Sequence, residues 1–195
     1  MAISLTKGQS ISLEKGGKGL TRVFMGLGWD PVKKGGFLGG LLGGGGGGSI
    51  DLDASVIVFD AQKKALETVW FRNLKSSDGA IRHGGDNLTG EGDGDDEVIH
   101  VDLDRLDSRA AHLVFTVNSF RGQTFNEVDN AFARLVDATN KSELCRYTLA
   151  ERGKHTGVIM AAISKTGSGW QMKAIGHPGR GSTVNDMAAD AVALI

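Results

Sequence analysis

The sequence predicts an all-β protein: a β-sandwich of two mainly antiparallel sheets with a short C-terminal helix. Three observations lead there. Residues 50–59 alternate, with Ile50, Leu52, Ala54, Val56 and Val58 on one side and Asp51, Asp53, Ser55, Ile57 and Phe59 on the other, the period of a strand. Short apolar runs recur along the chain, separated by Gly and Asp/Asn turns. The tail breaks this pattern. Residues 183–194 are Ala-rich, place Met187, Ala191 and Leu194 at helical spacing, and follow Ser182-Thr183, residues suited to cap a helix.

The other elements follow from the same period. Thr21, Val23, Met25 and Leu27 share a face, as do Glu97, Ile99, Val101 and Leu103, and Leu113, Phe115 and Val117. Residues 157–164 and 169–176 form a hairpin through Thr166-Gly-Ser-Gly169, with Trp170 and Met172 as packing anchors. The stretch 131–149 has helix formers in its first half. Its centre, Asp137-Ala-Thr-Asn-Lys141, is turn-like, and Glu143–Leu149 alternates behind it, so a second hairpin is expected. Cys145 then falls in a strand, half-buried, while His155 and His177 are expected at the surface or as hydrogen-bonding residues.

A chain of 195 residues suits one domain, residues 1–195, with a full core. It carries 22 Lys plus Arg against 23 Asp plus Glu, a net charge of −1, which argues against a nucleic-acid binder. The single cysteine excludes an internal disulfide, a Cys-rich zinc site and dithiol redox chemistry within one chain, direct reduction of an oxyanion included. No apolar run reaches the ~20 residues of a membrane span, and the N-terminus is too polar for a signal peptide. A cytoplasmic protein is expected. Residues 35–48 contain ten glycines and read as a flexible Gly-rich loop. Its Phe37, Leu38, Leu41 and Leu42 are the feature suited to docking on a partner, or on a membrane in a peripheral way.

The most informative stretch lies between Arg82 and Arg105. It holds eight acidic residues and no Lys or Arg, and six of the eight fall within 86–97, interleaved with Gly90, Gly92 and Gly94. Hard cations such as Ca2+ take about six to eight oxygen ligands, and glycines let a backbone aim several carboxylates at one point. Without a cation such carboxylates repel one another and their pKa values rise. Asp51 and Asp53, two apart in a strand, project from the same side, and Asp30 ends another strand. The loop is not an EF-hand, because the sixth position counted from Asp93 is Val98 rather than glycine. Weaker candidates are His83 and His100, which flank the loop but lack a third nitrogen or sulfur ligand in spacing.

In order along the chain, Gly26-Leu27-Gly28-Trp29-Asp30, Asp51-Leu-Asp-Ala-Ser55 and Gly85-Asp-Asn-Leu-Thr-Gly-Glu-Gly-Asp-Gly-Asp-Asp-Glu97 resemble the TerD family of tellurite-resistance and bacterial stress proteins. Ile3-Ser-Leu-Thr-Lys-Gly8 and Phe71–Gly79 are similar too, and Asn118–Phe125, Ala174-Ile-Gly176 and the tail look most like the TerZ branch. The resemblance covers nearly the whole chain. It implies a β-sandwich without catalytic activity that holds two Ca2+ at the loops of one end. It also implies a role in tellurite resistance, stress response or defence, with other proteins of a stress or Ter-type complex as partners. By motif, the implied ligands are Asp30, Asp51, Asp53, Asp86, Asn87, Glu91, Asp93, Asp95, Asp96 and Glu97. The competing reading of the same cluster is a Mg2+- or Mn2+-dependent hydrolase, which needs an open coordination position and a substrate cleft.

Overall fold

The alternation read from residues 50–59 and its neighbours becomes, in a computed structural model, two stacked six-stranded sheets. The structure describes residues 2–15, 18–32, 50–85, 94–119, 121–150, 152–179, 181 and 183–195. The first sheet holds β1 (Ile3–Leu5), β12 (Ser142–Thr148), β11 (Val128–Asp137), β5 (Arg22–Pro31), β9 (Glu97–Asp102) and β8 (Ile81–His83), in that spatial order. The second holds β2 (Ser10–Ser12), β14 (Gly169–Gly179), β13 (Gly157–Thr166), β10 (Ala110–Ser119), β6 (Leu52–Asp60) and β7 (Ala65–Val69). A two-residue pair, β3 (Glu14–Lys15) and β4 (Lys18–Gly19), stands apart. Pairing within the two sheets is antiparallel except where β1 runs parallel to β12.

The inward residues of both sheets fuse into one core. Val23, Met25, Leu27 and Trp29 of β5 meet Leu52, Ala54, Val56 and Val58 of β6, with Leu113, Phe115, Leu135, Ile99 and Met172 filling between them. This is the two-sided alternation that a sandwich requires. On its other side, β6 presents Ile57 and Phe59 to a second apolar cluster. There Val114, Ile159 and Ile175 of the same sheet are covered by Val184, Met187 and Ala191 of the tail.

Both predicted hairpins form, β11–β12 across 137–142 and β13–β14 across 166–169. The tail differs from a single helix over 183–194. It starts as a 3-10 turn, Val184–Met187, and continues as α1, Ala188–Leu194. The Asp186 carboxylate accepts from Thr183 N (3.0 Å) and Thr183 Oγ1 (3.1 Å), which closes the first turn. Two single-residue expectations are corrected. Cys145 is fully buried rather than half-buried, its Sγ 3.3 Å from Met172 Sδ, and burial pushes its thiol up to about 12. Of the two alternatives for His155, the surface one is corrected: it is buried and stacks on Phe125 at 5.0 Å between ring centroids. The Gly-rich loop 35–48 lies outside the described residues.

Candidate functional site

The end of β5 and the starts of β6 and β9 meet at one end of the sandwich. They carry Asp30, Asp51, Asp53, Asp95, Asp96 and Glu97 there. Five of these carboxylates, Asp30, Asp51, Asp95, Asp96 and Glu97, have a named anchor.

Glu97 is the deepest. It sits on the inward side of β9, 2% exposed, as its alternation with Ile99 and Val101 requires. Its Oε2 accepts from Ala54 N at 2.7 Å and lies 3.2 Å from His83 Nε2. His83 Nε2 is also 3.1 Å from Ala54 O, and Gly85 N approaches His83 Nδ1 at 3.2 Å. Gly85 N–H donates to Nδ1, so the hydrogen-bond network assigns the proton to Nε2, which donates toward Ala54 O and Glu97. The physical cause is a gap in the ladder. β7 stops pairing with β6 at Val56, which leaves the N–H and C=O of Ala54 on a bare edge inside the molecule. A carboxylate and an imidazole from the opposite sheet take the place of the missing strand, and buried backbone groups require such partners. His83 and His100 therefore do not form a metal pair. In the β8–β9 register His83 faces Ile99 and points inward, while Arg82 faces His100, whose ring lies 5.7 Å from Phe24 on the outward side.

Asp96 accepts from Trp29 N at 2.7 Å. Burial pushes its carboxyl up to about 6, and the negative charges of Asp30, Glu97 and Asp95 add to that rise against the lowering effect of the Trp29 bond. The Trp29 ring is itself fixed by its Nε1–H, which donates to Ile50 O at 3.2 Å, tying β5 to the segment that leads into Asp51. Asp30 Oδ2 accepts from Asn130 Nδ2 at 2.8 Å. Asp51 and Asp53 are buried to 6% and 7% exposure and alternate with the core residues Leu52 and Ala54. Asp51 Oδ2 pairs with Arg121 Nε at 2.8 Å.

Asp95 is held on the outward side of the first sheet. Arg134 grips it in a two-pronged pair, Nε to Oδ1 at 2.6 Å and Nη2 to Oδ2 at 2.8 Å, and Arg134 Nη1 reaches Glu143 at 3.1 Å. The two carboxylates raise the Arg134 pKa, with the Asp95 hydrogen bonds the larger cause. Two glycines make room for this arrangement. A Cβ on Gly26 would lie 2.3 Å from the Asp95 carboxylate, and one on Gly28 would lie 2.4 Å from the Phe132 ring and 2.7 Å from Gly94 O. The Gly-x-Gly before Trp29-Asp30 is thus a flat surface on which the acidic segment lies.

Asp86, Asn87, Glu91 and Asp93 lie outside the described residues. Among the described residues no group of three or more His, Cys, Asp or Glu forms a ready metal cage. Apart from the His83 imidazole, which is spent on Ala54 and Glu97, the acidic side chains gathered here offer carboxylate oxygens, which suit a hard cation better than a thiophilic metal. Sequence reasoning missed Arg134 and Arg121 as members of this end, and placed His83 beside it without its role on Ala54 and Glu97. The charge of Arg134 carried no signal, because it lies 39 residues from Asp95 and only the register of β11 on β5 joins them.

Comparison with known proteins agrees with this frame. The TerD domain family model matches residues 1–190. The chain is 53% identical over 193 residues to a protein named tellurium resistance protein TerZ from Serratia marcescens, covering 99% of this chain and 98% of the relative. It is 44% identical to a stress response protein, SCP2, of Bacillus subtilis, covering 96% and 98%. A solved structure from Streptomyces coelicolor, titled a homologue of telluride resistance protein, superposes with a TM-score of 0.68 over 87% of this chain and 96% of the other. At 23% identity, it shows the shared fold.

Proposed function

On the premise that this chain belongs to the TerD family of tellurium-resistance and stress-response proteins, we propose that it is a non-enzymatic Ca2+-binding module. The observation that carries the reading is the Asp96 carboxyl. It is half-buried and pushed up to about 6, first by burial and then by the negative charges of Asp30, Glu97 and Asp95 beside it, so its charged form stands in need of a partner at this end. A divalent cation relieves that repulsion, and the all-oxygen donors suit Ca2+.

Asp30, Asp51, Asp53, Asp96 and Glu97 would contribute from the strand ends, with Asp86, Asn87, Glu91 and Asp93 of the intervening segment completing about two sites. Asp95, gripped by Arg134, would act mainly by fixing the course of the segment across Gly26. When bound, Ca2+ supplies charge neutralisation and cross-links the loops of β5, β6 and β9. The chain's own residues set where those loops lie. The loaded end would then present a surface to protein partners of a stress-response assembly in the cytoplasm.

The test is calorimetric titration of chelator-stripped protein with Ca2+ against excess Mg2+, repeated for Asp53→Asn and Asp96→Asn. Binding of about two ions at micromolar or tighter affinity, weakened in both variants, supports the module. Millimolar or absent binding removes it.

A further inference from the structure

The opposite ends of β5 and β9 carry the reverse charge. Arg22 opens β5, Arg82 lies in β8, and Arg105 sits in the turn after β9. Together with His100, Asp102 and Gly79 they line an open pocket of about 460 Å³. That volume lies within the range of small-molecule sites.

What distinguishes these arginines is the absence of a counter-charge. Among the described residues, Arg109, Arg121, Arg134, Arg146 and Arg152 each pair with a carboxylate, and Arg72 stacks on Trp70 and Phe71. The other three described arginines, Arg22, Arg82 and Arg105, form no ion pair among the described residues, and all three converge on this pocket. A further cation stands beside it. Lys75 Nζ and Arg105 Nη2 lie 3.5 and 4.0 Å from the point a Gly79 Cβ would occupy. Among the described residues Asp102 is the one acidic residue lining the pocket, against three guanidiniums. Like charges brought together this way cost energy unless an anion joins them.

The frame that gathers them is rigid. Gly79 takes φ +72 and allows the tight 76–80 turn. The Asp78 carboxylate accepts from Ser76 Oγ (2.6 Å), Ala80 N (2.8 Å) and Asp107 N (2.7 Å), and so ties that turn to the one after β9. Asp102 N donates to Ala80 O at 2.9 Å, Leu103 N to Thr21 O at 2.7 Å, and Ala138 N to Arg22 O at 3.0 Å. The guanidiniums thus start from fixed backbone positions, which lowers the ordering entropy a ligand must offset.

The geometry points to an oxyanion site that takes the phosphate groups of a small phosphorylated molecule. Planar guanidinium forks match phosphate oxygens in pairs, and three of them around one pocket suit a doubly charged group. The site is independent of the cation reading, which concerns the other end of the same strands.

The test is titration of the full chain, in metal-stripped low-salt buffer, with inorganic phosphate, pyrophosphate, ADP and tellurite in turn. It is repeated at high salt and with Arg82→Gln, Arg105→Gln and, as a charge-matched control on the β13–β14 hairpin, Lys165→Gln. Saturable binding of a phosphate compound is expected, weaker at high salt. Each arginine variant should weaken it about tenfold or more, and Lys165→Gln should not. ADP binding well above pyrophosphate assigns the phosphate to a nucleotide-like carrier, and equal binding assigns recognition to the phosphate alone. Absence of saturable phosphate binding, binding of tellurite alone, or binding that survives both arginine variants overturns the site.

Discussion

Two ends of the same strands solve the problem of crowded like charge differently. At the acidic end of β5 and β9, described carboxylates are anchored: Asp96 to Trp29 N, Glu97 to Ala54 N, Asp95 to Arg134, Asp51 to Arg121. About seven residues away along β5, or roughly 23 Å, Arg22, Arg82 and Arg105 stand exposed around a pocket with no such partners among the described residues. At the acidic end the charges are part of how the two sheets are joined. At the basic end they project from the first residue of β5, from β8 and from the turn after β9, with no ion pair among the described residues to hold them. Charge that holds a structure together and charge that waits for a ligand can therefore be told apart by what each side chain is bonded to.

The largest expected effect tests the first half of that contrast. Glu97→Ala leaves Ala54 N and His83 without their buried acceptor and should lower unfolding stability by about 3 kcal/mol. Glu97→Gln keeps an acceptor and should cost much less. Chemical denaturation of both variants measures this, and equal losses would show that Glu97 acts through its charge alone. Gly26→Ala forces a methyl group into the Asp95 carboxylate and should cost about 1.5 kcal/mol. Most of that cost should vanish in an Asp95→Ala background. A double-mutant cycle without coupling would mean the strain lies elsewhere.

A third prediction concerns pH. The Asp96 carboxyl sits at about 6 in the folded chain, above its ordinary value of 3.8, so the folded chain holds this proton more tightly than the unfolded one. The resulting stability is fully present below about pH 4 and is lost as pH rises through 6. In the metal-free protein Asp96 should thus add to Tm on acidification from pH 7 to about 5, against His112, whose imidazole is held below its usual range by burial and works the other way in the same window. Asp78, Asp107 and Glu143, whose carboxyls are held below their usual range, oppose the Asp96 gain at more acidic pH. Thermal melts across this window should show the slope flattened in Asp96→Asn; an unchanged slope would place its origin in another group. The smallest effect is Arg105→Gln. With no ion pair to lose among the described residues, it should change stability by less than about 0.5 kcal/mol, with a slight gain from reduced repulsion. A loss well beyond that figure in denaturant titration would break the contrast between the two ends.

Much of the sandwich was legible because alternation is a local signal. Val23, Met25 and Leu27 sit in the core, and Asp51 and Asp53 stand on the side of β6 opposite Leu52 and Ala54, as their spacing requires. The acidic end was legible for the same reason, being dense in sequence as well as in space. What stayed hidden depends on register between distant strands. His83 completes the bare edge of β6 only because β8 falls beside β9, and nothing near His83 in the sequence announces Ala54. Arg22, Arg82 and Arg105 form no motif, and only the β5–β9–β8 order brings them to one pocket. The tail begins as a 3-10 turn because Asp186 reaches back to Thr183, a closure that helical spacing does not encode.

The stretch from Ile3 to Ser12 joins both layers: β1 lies along β12 in one sheet and β2 along β14 in the other. It is a clasp whose two halves both pair with strands from late in the chain. During synthesis these residues leave the ribosome well before residues 142–148 and 169–179 exist to receive them. Until then they wait in solution while the central strands, β5 with β11 and β6 with β10, are completed. Such long-range closure is slow. An extension fused ahead of Ile3 would ride on that clasp, so the rate of the clasp's closing is where the fusion should be felt first.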